Sequence, residues 1–146
     1  MSASRRKDID RARVREAIEI AETKTSAELV VSLAPFFLGD VWEEARRAFA
    51  KLGIWKTRHR NGVLLFVVPA RRQVVVLADE GAVARVDTKV WSDAADVIAE
   101  GFARGHGTEA LVAAIEQLAQ TLAAVFPVGA AEVNELPDEP LVGVTP

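Results

Sequence analysis

The sequence predicts an α/β fold: a three-layer α/β/α sandwich around a small mixed sheet with a central antiparallel hairpin. Three observations predict it. Residues 62–68 and 73–79 are apolar on both alternating faces, so a sheet built from them needs cover on both sides. A helical stretch of about a dozen residues separates an earlier strand from this hairpin, which suits a crossover between parallel strands. Amphipathic stripes before and after the hairpin supply the covering layers.

Taken in order, Ile9 opens a stripe in which Val14, Ile18 and Ala21 recur at helical spacing, so residues 8–23 are expected to form a helix. The period then changes. In "TSAELVVSLA", Leu29, Val31 and Leu33 alternate with Glu28, Val30 and Ser32, the pattern of a first strand with one face well buried. Pro35 and Gly39 end it, and Asp40 followed by Glu43 reads as the cap of a second helix with Trp42, Ala45, Phe49 and Leu52 on one side. In the hairpin, "PARR" at 69–72 is the connection, which sets Val68 against Gln73 and Gly62 against Asp79. Trp91, Ala94, Ile98 and Phe102 then form one helical stripe, and Leu111, Ile115, Leu118, Leu122 and Val125 a longer one closed by Pro127.

The chain has 146 residues, half of them hydrophobic, enough for one domain with a sizeable core. We expect that domain at residues 1–128 and an acidic, Pro/Gly-rich tail at 129–146, extended or mobile by default. Apolar runs fall short of the roughly 18 residues of a membrane span, and no apolar stretch follows the basic cluster of "MSASRRKDID". With nothing to direct insertion or export, the expected location is the cytoplasm. The absence of cysteine excludes disulfides, thiolate metal sites and thiol nucleophiles. All eighteen Lys and Arg lie at or before Arg104, while six acids follow it. The basic run of Arg46, Arg47, Lys51, Lys56, Arg58, His59 and Arg60 carries no recognisable nucleic-acid motif and reads as a solvated face, not a nucleic-acid site.

Candidate chemistry emerges from the topology. If strands one and two are parallel and strand three is antiparallel, the starts of the first two and the end of the third share one edge of the sheet. Glu28, Asn61, Asp79 and Glu80 then gather there. Carboxylate and amide oxygens with no cysteine are the ligands that hard cations such as calcium prefer. The same residues allow a plainer arrangement in which Arg60 pairs with Glu28 or Asp79 and Asp79-Glu80-Gly81 caps the next segment. No P-loop, G-x-S-x-G, H-E-x-x-H or G-x-G-x-x-G motif occurs, and His59 and His106 read as surface residues.

The segments "AIEIAETKTSAELVVSL", "AFAKLGIWKTRHRNGVLLFVVPARRQVVVLADEG", "FARGHGTEALVAAIEQLAQTLAAVFP" and "VNELPDE" resemble, in order and spacing, the TPM domain family in its short stand-alone bacterial branch. The resemblance spans about residues 10–139. It implies an α/β/α sandwich, divalent-metal binding with calcium foremost, and a part in assembling or repairing membrane complexes. It also implies a membrane-associated or LemA-like protein partner. The family's T-x-G-E falls on Thr25, Ala27 and Glu28, its R-N-G on Arg60, Asn61 and Gly62, and its acidic-glycine turn on Asp79 and Gly81. Ala27 replaces a glycine and the G-x-G-L-E signature of the membrane-linked branch is missing, departures that weigh against the weak acid phosphatase activity of the plant lumenal branch. The expected function is a non-enzymatic, calcium-type cation-binding interaction domain with Glu28, Asn61, Asp79 and Glu80 near the ion. The alternative is a metal-assisted phosphatase in which Arg58 or Arg60 steadies the phosphoryl charge.

Overall fold

The computed structural model describes residues 9–129 and 143–145. Helix α1 (Arg11–Glu22) starts where the Asp10 carboxylate accepts the Arg13 N–H at 3.2 Å, and it buries Val14, Ala17, Ile18 and Ala21. Strand β1 (Glu28–Leu33) follows. Helix α2 (Val41–Lys51) carries the expected cap, with Asp40 accepting from the Glu43 N–H at 3.1 Å. Its inward face is rotated from the expected one: Val41 and Ala45 are buried, whereas Trp42 is 47% exposed. Val41 and Ala45 are four apart and continue through half-buried Ala48, Phe49 and Leu52, so the stripe leaves Trp42 at its margin.

Strand β2 (Gly62–Val68) is buried at every position. A single turn over Pro69–Arg71 reverses the chain, aided by Arg72 in the left-handed region at φ 55°, and leads into β3 (Gln73–Ala78). The register is the expected one, Val68 facing Gln73 and Val63 facing Ala78. A short helix, α3 (Glu80–Arg85), follows at once. Helices α4 (Lys89–Ala103) and α5 (Gly107–Val125) bury the predicted stripes, including Ile98, Phe102, Leu111, Ile115, Leu118 and Leu122.

The sheet has the order β3-β2-β1-β4, with β1 parallel to β2 and β3 antiparallel to β2. β4 (Gly143–Thr145) pairs in parallel with Val30–Ser32 of β1, so this part of the expected tail is a strand; residues 130–142 lie outside the described residues. On one face, Leu29, Val31, Leu33, Val63, Leu65, Val67 and Val76 pack with α1, α4 and α5. On the other, Val30, Leu64, Phe66, Val68 and Val75 pack with α2. The double burial inferred for the hairpin is met by these two layers, since each apolar side chain removed from water contributes about 1.5–3 kcal/mol. Among the described residues no helix is long and apolar enough to cross a membrane.

Candidate functional site

The rim where β1 and β2 begin and β3 ends is set by the loop after α2. The Gly53 and Ile54 N–H groups donate to the carbonyls of Ala50 (3.1 Å) and Phe49 (3.2 Å), a turn that closes the helix and folds the chain back over the sheet. Ile54 lands on Gly62. A Cβ there would stand 2.5 Å from both the Cγ2 and the carbonyl oxygen of Ile54, so only glycine fits. Thr57 then anchors the approach to β2, its carbonyl accepting the Arg60 N–H (3.2 Å) and its Oγ1 the Asn61 N–H (3.0 Å).

Arg60 is the pivot. It is held in the left-handed region at φ 51°, which a side chain other than glycine adopts only when its surroundings compensate. The compensation is visible on both of its ends. Its guanidinium grips Asp79 in a two-pronged pair, Nε to Oδ2 at 2.7 Å and Nη2 to Oδ1 at 2.9 Å. Nη1 lies 3.6 Å from the Glu80 carboxylate. Its carbonyl accepts the Gly81 N–H at 2.8 Å and, at 3.3 Å, the Ala82 N–H, which the Asp79 carbonyl also accepts at 3.0 Å; both are donors at the start of α3. Asp79, 7% exposed, also accepts the Glu80 N–H at 2.8 Å. Its carboxylate raises the Arg60 pKa further above the usual guanidinium value, chiefly by hydrogen bonding, so Arg60 remains a cation at every workable pH.

These contacts explain why an apolar strand stops in Asp-Glu-Gly. Asp79 caps α3 and neutralises Arg60, while Gly81 lets the helix start press on the backbone: an added Cβ would run into the His59 carbonyl and stand 2.7 Å from that of Arg60. Arg60-Asn61-Gly62 and Asp79-Glu80-Gly81 thus form the two halves of one latch.

The predicted site residues do share the rim. Glu28 is aligned with Gly62 in β1–β2 and the Asp79 N–H donates to the Gly62 carbonyl at 2.9 Å, so Glu28 and Asp79 flank Gly62, about two strand spacings, or 10 Å, apart. They lie on the α2 side of the pleat, like Val30 and Leu64, but Ile54 occupies the space above Gly62 between them. By the same alternation Asn61 falls toward the opposite face. It is 1% exposed, and neither Oδ1 nor Nδ2 has a hydrogen-bond partner among the described residues. Arg58 is exposed. Among the described residues no three His, Asp or Glu side chains stand together as a ready cation cage. Sequence reasoning passed over Ile54 and Thr57; the Asn-Gly step that follows them was the signal of a close approach at that point. Thr25, the first residue of the T-x-G-E match, donates from Oγ1 to the Phe126 carbonyl at 2.7 Å and accepts the Ala27 N–H at 3.1 Å, tying the end of α5 to the entry of β1.

Comparison with known proteins decides the family. A family model described as the TPM domain matches residues 7–121. The chain belongs to the TPM domain family. The fold of this TPM domain is also similar to the NMR structure of the BA42 protein from the psychrophilic bacterium Bizionia argentinensis, at a TM-score of 0.78 and 30% identity, over 99% of this chain and 94% of that one. No curated protein matches. In this TPM domain the residues matching the R-N-G and acidic-glycine motifs are those that build the latch. In the latch both carboxylate oxygens of Asp79 accept from the Arg60 guanidinium, so that carboxylate already faces a cation of the protein's own.

Proposed function

We propose that this TPM domain is a non-catalytic interaction domain that takes a divalent cation, calcium foremost, in competition with Arg60 at the Asp79–Glu80 end of the rim. Its partner is a membrane-associated or LemA-like protein. The observation that carries the reading is the Arg60–Asp79 pair. The guanidinium that would steady a transferring phosphoryl group and the carboxylate that would hold its metal are bound to each other, which favours binding over phosphoryl transfer. Oxygen donors alone suit a hard cation. Large apolar side chains around the start of α2, Phe36, Leu38 (85% exposed) and Trp42, support a protein-contact role.

Calorimetric titration with calcium and magnesium tests it. Saturable heat is expected, weaker in Glu80→Gln and stronger in Arg60→Ala, with no phosphate released from model esters. Neither heat nor a thermal shift in any of the three proteins would remove the cation from the reading. Metal-dependent phosphate release that disappears in Arg60→Ala would replace it with the phosphatase.

A further inference from the structure

We infer that the outer edge of β3 is a strand-addition site for an extended peptide of a partner protein, running antiparallel to β3 with basic residues at its N-terminal end and acidic residues at its C-terminal end. The inference deepens the interaction-domain reading by naming the surface and the chemistry of its partner.

The sheet ends in β3 on one side and in β4 on the other; β4 is a three-residue strand, whereas β3 runs for six residues with no strand beyond it among the described residues. The direction of its free backbone groups follows from two hydrogen bonds. The Asp79 N–H donates to Gly62, opposite it, so residues 73, 75, 77 and 79 turn their backbone groups toward β2; the Val67 carbonyl, at an odd position of β2, bonds instead to Ala34 on the β1 side. Val74, Val76 and Ala78 therefore direct N–H and C=O outward.

An edge of this kind invites pairing unless it is guarded by charge, proline or a bulge. From Val74 to Ala78 the strand has none of these. It also lies at the floor of a groove of about 410 Å³, with Trp42 of α2 on one side and Val83, Trp91 and Ala95 of α3 and α4 on the other. That volume is of the size that holds a ligand segment, within the range on the order of 300–1,000 Å³. A second copy would bring its own α2 and α4 to the same rim, so a lone strand is the better fit. Backbone pairing would supply the affinity, and alternate side chains would meet the two tryptophans.

Charge sets the order of residues along an antiparallel partner. Exposed Arg72 stands at the start of β3 and exposed Glu80 just past its end. An antiparallel strand places its C-terminal residues beside Arg72 and its N-terminal residues beside Glu80, hence the order basic, apolar, acidic. The stretch RRQVVVLADE, residues 71–80 of the chain, has this order and serves as a probe.

The test titrates the synthetic peptide RRQVVVLADE into the isotope-labelled full chain without divalent ions, so that a failure of the calcium reading and a failure here are read separately. Amide shifts should concentrate at Val74, Val76 and Ala78, with the Trp42 and Trp91 indoles responding. Arg72→Glu, at an exposed position, should weaken binding about tenfold, and the double variant Arg72→Glu/Glu80→Arg should prefer the charge-exchanged peptide EDQVVVLARR. Val74→Pro, which removes an outward N–H while sparing the bonds to β2, should abolish binding in a chain that still melts cooperatively. Any one of three results overturns the proposal: no binding at millimolar peptide, shifts away from the three amides, or equal affinity for the two peptides. Self-association of the chain that protects the same amides would also overturn it, making a second copy the occupant.

Discussion

Gly81→Ala is the most exacting test of the latch, because two elementary effects oppose each other there. On helix propensity alone, alanine for glycine would stabilise α3 by up to about 1 kcal/mol. The structure gives the opposite sign. The new Cβ meets the His59 carbonyl and stands 2.7 Å from the Arg60 carbonyl, and these are backbone atoms that cannot rotate away. Overpacking against fixed atoms costs about 1–3 kcal/mol, and moving α3 outward also weakens the 2.8 Å bond from the Gly81 N–H to Arg60, worth about 1 kcal/mol. The net expectation is a loss of about 2 kcal/mol, which for a domain of this size lowers Tm by about 8 °C. Urea denaturation and a circular-dichroism melt measure it. Glu80→Ala, one residue away with its side chain 73% exposed, should shift stability by less than about 0.5 kcal/mol. A Gly81→Ala protein that melts at or above the wild type would refute the close approach and with it the latch.

Other expectations follow from neighbouring features. Thr25→Val removes a buried hydroxyl that serves both Phe126 and Ala27, and a urea titration should record a loss of about 1–3 kcal/mol. Asn61→Leu replaces a buried carboxamide without hydrogen-bond partners among the described residues, so it should raise stability by about 1 kcal/mol; a fall in Tm would mean that the amide is satisfied in solution. Leu64→Ala, in the wholly buried β2, should cost about 2–5 kcal/mol in the same assay. Glu22 has its pKa raised, first by burial and second by the charge of Glu19. A carboxyl whose folded pKa lies above its unfolded value favours the fold when protonated, so its share of stability falls as pH rises through that interval from about 4.5 upward. Glu22→Gln should therefore raise Tm slightly at pH 7 and leave it unchanged at pH 3, a small effect because the side chain is only partly withdrawn from water.

The parts of this fold legible in the sequence are those written in periodicity. Equal apolar lengths on either side of "PARR" set the hairpin register, and the helical crossover set β1 parallel to β2. The Asp40 cap was legible because its chemistry is local. Trp42 was misplaced because a stripe four residues wide reads equally well with either of two neighbouring residues at its margin, and packing against Leu64 and Phe66 selects Val41. At the rim, the sequence brought Glu28, Arg60, Asn61 and Asp79 together but left open which acid Arg60 would take. That choice depends on the positive φ of Arg60, and an arginine has no intrinsic preference for that conformation; contacts with α3, distant in sequence, impose it. The short helix α3 and strand β4 were hidden for a like reason, being too brief for a period to register.

The bond between Thr25 and Phe126 spans 101 positions of chain, and that between Asp10 and Thr108 spans 98. The hairpin can assemble early from near neighbours, whereas α1 meets α5 only after nearly the whole polypeptide has been gathered. During synthesis the apolar stripe of α1 therefore stays without its cover from α5 until residues 107–125 have emerged.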